Sequence, residues 1–107
     1  MDRERRTRMD IPSYKVIEDI VAQDDWAFVD ETGREQIARV RVGRPRPWTD
    51  GPHGDWLCPV QIDGFTEGIH SAVGVGPVDA LLNATKLVNA FADEIGSYTP
   101  RAQRERS

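Results

Sequence analysis

Cysteine occurs once in the 107 residues, as Cys58, while histidine and lysine occur only twice each. A lone thiol excludes an internal disulfide and a thiolate-rich zinc site, and it points to a reducing compartment. No apolar run approaches the roughly 20 residues that cross a bilayer. The basic residues behind Met1 are not followed by the apolar stretch of a secretory signal. A cytoplasmic protein without membrane attachment is therefore expected. Aromatic residues contribute 7% of the chain and apolar residues 38%, so the core must be small and the chain a single domain.

What the chain has in quantity is charge, 30% of all residues, with a net value of −4. That charge is unevenly placed. Residues 1–8 carry four Arg against Asp2 and Glu4, and residues 101–107 carry three Arg against Glu105, so each end is +2 and residues 9–100 are −8. An acidic body with basic ends lacks the basic face of a general nucleic-acid binder. Arg outnumbers Lys twelve to two, which is a mark of ancestry in a GC-rich genome rather than of function.

The clearest element is a helix. Val78, Leu81, Leu82, Thr85, Val88, Ala92 and Ile95 recur at three- and four-residue steps. Pro77 suits the first helical position, Gly76 the N-cap, Asp79 the positive end of the dipole, and Gly96 a left-handed stop. Upstream the pattern is β. Tyr14–Ala22 reads as a strand, with Trp26–Val29 continuing extended. Residues 30–34 turn the chain, and Gln36–Val42 alternates, with Ala38, Val40 and Val42 on one face and Ile37, Arg39 and Arg41 on the other. Gly43–Gly54 is a Pro/Gly-rich loop. Trp56–Ile62 alternates again, putting Trp56, Cys58, Val60 and Ile62 together, and Pro59 within it predicts an edge strand or a bulge. Ile69–Val75 is a short last strand. The pattern predicts an α+β fold: an antiparallel sheet of three to five strands with one long C-terminal helix on one face. Residues 14–96 would form the domain, with a disordered basic segment at 1–13 and a flexible basic tail at 97–107. Met9 competes with Met1 as the natural start.

The run Trp56-Leu57-Cys58-Pro59-Val60-Gln61-Ile62-Asp63-Gly64, followed by Gly74 through Leu82 and an Ala-rich helix, resembles a group of small bacterial proteins catalogued only as a domain of unknown function. The resemblance spans about residues 36–95, and the Gly-Pro-Val-Asp helix start departs from the group in spacing. It implies a sheet-plus-helix fold and no particular activity.

No segment carries a catalytic signature. Cys58 has the chemistry of a nucleophile, with His53 or His70 as base, but its phase with Val60 and Ile62 puts it in the core. His53, His70, Cys58, Asp50, Asp55 and Asp63 are metal-ligand types without ligand spacing, so no metal and no cofactor are expected. Gly74-Val75-Gly76 before a helix has the look of an anion cradle, yet it lacks the rest of any phosphate-binding motif, and Asp79 would repel phosphate. Arg39, Arg41 and Arg44, with Arg46 and Trp48 beyond them, can contact an anion or nucleic acid, or pair with acidic neighbours across the sheet. Arg46, Trp48, His53 and Trp56 are the candidate walls of a ligand pocket beside the 43–54 loop. Asp93 and Glu94 sit in the last helical turn, where the dipole disfavours them, and Arg101, Arg104 and Arg106 can offset this. The helix's apolar arc, roughly 200° wide by helical geometry, exceeds what a small sheet covers. Leu87 and Phe91 on its flank therefore need a cover: the N-terminal segment, the tail at Tyr98, or another protein.

The reading that follows is a small non-enzymatic protein acting through protein–protein contact, as a homodimer or an inhibitor- or immunity-type binder. Its acidic body suits a basic partner. The alternatives are a ligand-binding or enzymatic domain using the 43–54 loop, and a nucleic-acid accessory protein using the arginine strand.

Overall fold

The alternating segments pair in the computed structural model, which describes residues 16–51 and 53–100. The expected N-terminal segment and residues 101–107 of the expected tail lie outside the described residues. The elements run β1 (Ile20–Val29), β2 (Glu35–Gly43), β3 (Arg46–Pro47), β4 (Trp56–Asp63), β5 (Ile69–Gly74), α1 (Pro77–Ile95) and β6 (Thr99–Pro100). All strands join one antiparallel sheet. The fold is α+β, with one C-terminal helix on the sheet, as its alternation and helical spacing require. The strand count exceeds the expected three to five because β3 and β6 contribute two residues each.

Among the described residues the extended stretch expected over 14–22 and 26–29 is one strand, which leaves out residues 16–19. β1 starts at Ile20 and runs unbroken to Val29, with a register shift between Ile20 and Ala22. Two adjacent aspartates in mid-strand are tolerated because each is engaged. Asp24 accepts from its neighbour's backbone N–H (2.8 Å) and from Trp26 Nε1 (3.2 Å). Asp25 lies opposite Arg39 and accepts from its Nε at 2.8 Å.

Pro59 does not lie on an edge strand. β4 is central, with β2 and β3 along one side and β5 along the other. The proline is accommodated because the β2/β3 ladder is interrupted beside it: Val60 pairs with Val42 and Leu57 with Arg46, while residues 58 and 59 have no partner in that ladder. The interruption frees the Gly43 carbonyl, which accepts the Cys58 thiol at 3.2 Å. Within the expected 43–54 loop, β3 forms and Trp48 donates its backbone N–H to Asp55 O at 2.7 Å.

The core lies between the sheet and α1. Trp26, Phe28, Ala38, Val40, Val42, Cys58, Val60 and Ile62 meet Ala80 and Ala84 of the helix, both fully buried. The helix begins as expected, with Gly76 at the N-cap and Pro77 in the first turn, and it ends at Gly96, whose φ of 85° stops it. Its buried face differs from the expected one. Ala80 and Ala84 face the sheet, flanked by Leu81, Leu87, Val88, Phe91, Ala92 and Ile95, while Val78 and Leu82 are exposed. Small residues at the centre let the helix approach β4 and β5 closely, and that rotates the stripe away from Val78 and Leu82. Behind the sheet a second packing site forms, where Ile17 and Pro59 fill the space beside Gly43 and Leu57 is almost wholly buried.

Candidate functional site

The strand-to-helix connection, a candidate anion cradle by sequence, is closed by its own residues. Asp79 Oδ2 accepts the Val75 N–H at 3.0 Å, so a carboxylate already occupies the position an anion would take. Asn83 Nδ2 donates to Val73 O at 2.7 Å and ties the helix to β5.

The arginines of β2 are also engaged. Arg39 grips Asp25 through Nε and Nη2 (2.8 and 3.3 Å), and hydrogen bonding to Asp25, then its charge, pushes the guanidinium pKa up. Arg41 donates to Gln23 (3.1 Å) and Gln61 (2.9 Å) and lies 3.8 Å from Asp63. Arg44 lies 3.6 Å from Asp19. Arg39 and Arg41 face acidic or amide partners on neighbouring strands, the pairing that register predicts for an alternating strand, while Arg44 lies just beyond β2.

The four residues assigned to a loop pocket are not one wall. Trp56 packs against the core under the helix. Trp48 is buried outside that cluster, over Gly51. His53 is exposed, and Arg46 sits in β3 opposite Leu57. Cys58 has no exposed surface, and burial pushes its thiol pKa up, the reverse of what a nucleophile needs. Thr66 Oγ1 lies 3.2 Å from His70 Nε2, but Thr66 also closes the turn after β4 through its N–H to Ile62 O. The buried Ser71 Oγ has no hydrogen-bond partner among the described residues. Among the described residues no three His, Cys, Asp or Glu side chains are grouped to hold a metal ion. Nor is any helix there long and apolar enough to cross a membrane.

Leu87 and Phe91, the expected contact surface, are half-buried against the core. Phe91 is covered by aromatic rings. Phe65, in the connection between β4 and β5, stands edge-on to Phe28 (centroids 6.0 Å) and to Phe91 (6.2 Å), and the His70 ring lies 5.3 Å from Phe91. Tyr98 covers Trp26 instead, stacked at 4.1 Å.

This aromatic wedge ends in an open cleft of about 610 Å³, lined by Phe28, Val29, Asp30, Glu31, Gln36, Gly64, Phe65, Glu94 and Ile95. A shallower depression of about 400 Å³ adjoins it across Phe28, Val29 and Ile95 and adds Glu35 and Tyr98. The floor is apolar, the rim carries carboxylates, and among the described residues none lining either depression is basic. Asp30 organises the β1–β2 turn. Its Oδ1 accepts from Thr32 N, Thr32 Oγ1 and Arg34 N, and its Oδ2 from Gln36 Nε2. The hydrogen bonds from Thr32 and Gln36 side chains, then the Arg34 backbone, bring its pKa down to about 2. Its charge persists, with Oδ1 fully engaged and Oδ2 holding one donor. Glu31 and Glu94 make no ion pair among the described residues, and the last helical turn contains no basic residue. The negative end of the helix dipole adds to the same field.

Sequence reading marked residues 30–34 as a turn and Asp93 and Glu94 as an unfavourable helix end, but it did not join them. Only Phe65 reaching across from a third segment brings them to one place. No family model, no curated protein and no solved structure matches this chain.

Proposed function

We propose that this chain is a small protein whose work is done by contact with another protein rather than by catalysis. The observation that carries this reading is the contrast between its polar groups. Those with reactive or anion-binding potential are engaged within the chain: Cys58 is in the core, Asp79 holds its own turn, Arg39 and Arg41 pair across the sheet, and Arg44 lies beside Asp19 at the surface. The cleft with carboxylates on its rim is left open. A described body of charge −8 favours encounter with a basic surface, because long-range attraction raises the association rate and disfavours acidic competitors. The internal pairing of the arginine strand argues against the nucleic-acid alternative, and the separation of Trp48 from Trp56 argues against a shared aromatic pocket at the 43–54 loop.

The test is capture from the native host's extract at low ionic strength, followed by reconstitution with the purified captured protein. Sedimentation of the chain alone separates a second copy from a different partner. A defined complex that dissociates with rising salt is the expected result. A monomer that forms no complex with any purified candidate, yet turns over a substrate, would overturn the reading.

A further inference from the structure

We propose that the cleft between the β1–β2 turn and the C-terminal end of α1 receives a basic, apolar-flanked segment of a partner protein, one that alternates arginine with large apolar side chains. This rests on the contact reading above and names its site and the chemistry that fits it.

Three observations select this occupant. The first is charge. Glu31 and Glu94 stand on the rim without ion-pair partners among the described residues, Asp30 stays ionised beside them, and the carboxyl end of α1 points the same way with Asp93 and Glu94 in its last turn. A helix end carries the equivalent of about half a negative charge, so acidic residues there repel it and a cation relieves the repulsion. The second is the floor. Phe28, Phe65 and Ile95 form it, with Val29 at its edge, where the strand's alternation turns the side chain to the other face of the sheet. A purely cationic segment would leave that floor wet, whereas apolar side chains would cover it. Arginine suits the rim because its guanidinium both forks onto carboxylates and lies flat on aromatic faces. The third is what the site cannot hold. Asp30 is held by four donors in its own turn, and among the described residues no three ligand-type side chains are grouped for a metal ion. An anion would meet a rim of its own sign.

The probe is a fluorescein-labelled hexapeptide, Arg-Leu-Arg-Phe-Arg-Leu, titrated against the full-length chain by fluorescence anisotropy at about 50 mM salt, where screening is weak. Controls are hexa-arginine and the same peptide with Glu for Arg. Glu31→Gln with Glu94→Gln removes the rim charge at exposed positions, so circular dichroism should show an unchanged fold. Loss of two exposed ion pairs should weaken binding about tenfold. Asp50→Asn, an exposed carboxylate in the β3–β4 connection, should leave binding unchanged. Hexa-arginine should bind more weakly than the mixed peptide, and the acidic peptide not at all.

Absence of mixed-peptide binding overturns the proposal. So does an equal effect of Asp50→Asn and the double substitution, which would assign the attraction to the body's net charge. If Arg101→Gln with Arg104→Gln and Arg106→Gln raises affinity tenfold or more, and Glu31→Gln with Glu94→Gln abolishes that gain, the occupant is the chain's own C-terminal segment rather than an external partner. The two readings fail separately: a native partner bound equally well by wild type and by the Glu31/Glu94 variant would refute the cleft and leave the contact function standing.

Discussion

Gly74→Ala should be among the most damaging conservative substitutions in this protein, while a change two residues later should stabilise it. A β-carbon at Gly74 would lie 2.2 Å from the backbone N of Ala80 and 2.6 Å from both Ala80 Cα and Asp79 C. Favourable contact begins near 3.5 Å, so the start of α1 would have to retreat by about 1.3 Å. No flexible side chain can move aside, because every close atom is helix backbone. Ala80 is fully buried, so the retreat opens the centre of the helix–sheet contact. Overpacking of this kind costs about 1–3 kcal/mol, and an unyielding backbone puts the expectation near the top of that range. For a domain this size, about 3 kcal/mol lowers Tm by roughly 10–20 °C and removes a large share of a typical total of about 5–15 kcal/mol. Gly76 is the internal control. Its backbone is extended, with φ −160° and ψ 178°, and a β-carbon there meets nothing within 4 Å. Gly76→Ser supplies a capping hydroxyl and restricts the unfolded chain, for a gain of about 0.5–1 kcal/mol. Thermal and urea unfolding followed by circular dichroism measure both. A Gly74→Ala protein that melts within about 2 °C of wild type, less than 1 kcal/mol would produce, would refute the close approach of helix to strand. Equal shifts of the same sign in both variants would show a generic loss of glycine rather than a steric one.

Four further outcomes are expected. Leu57→Ala should cost about 2–5 kcal/mol in urea unfolding, because Leu57 is only 1% exposed and its side chain leaves a cavity; a cost below about 1 kcal/mol would mean that the second packing site is loose. Cys58 should react slowly with a thiol reagent in the native protein and rapidly once unfolded, since it is fully buried and its pKa is pushed up by burial; fast native labelling would contradict this. Asp30 should titrate near 2 rather than at its ordinary 3.8 in a carboxyl NMR titration; a depressed native pKa means its contribution to stability is present above about 3.8 and is lost as pH falls towards 2, and a midpoint near 4 would show that the turn's hydrogen bonds do not hold in solution. Leu87→Asp with Phe91→Ser should unfold the domain, because both residues pack on the core and an unpaired charge there costs several kcal/mol; a folded variant by circular dichroism would return them to the surface.

Periodicity by itself determined much of this protein. The helix ends are local events: a proline without a donor, a glycine free to take positive φ, and a carboxylate at the first turn. They are therefore legible within a few residues. The faces of β2 and β4 follow from alternation, which is why Ala38, Val40, Val42, Cys58, Val60 and Ile62 could be assigned to the core, and Arg39 and Arg41 to the opposite face. What needed the tertiary structure were the partners across distance. Pro59 could not reveal that its strand is central, because the interruption that accommodates it lies in the ladder to β2 and β3. The asparagine that ties α1 to β5 looks like an ordinary polar helix residue until the strand lies beneath it. The helix's buried face turned on two alanines, whose small size matters only once a sheet is present to be approached. The cleft was least legible of all. Its floor is drawn from β1, from Phe65 and from the last turn of α1, segments up to about seventy residues apart in the chain. Hydrophobic patterning says that each must be covered, but only the packed chain decides by what, and which acidic residues are left facing water.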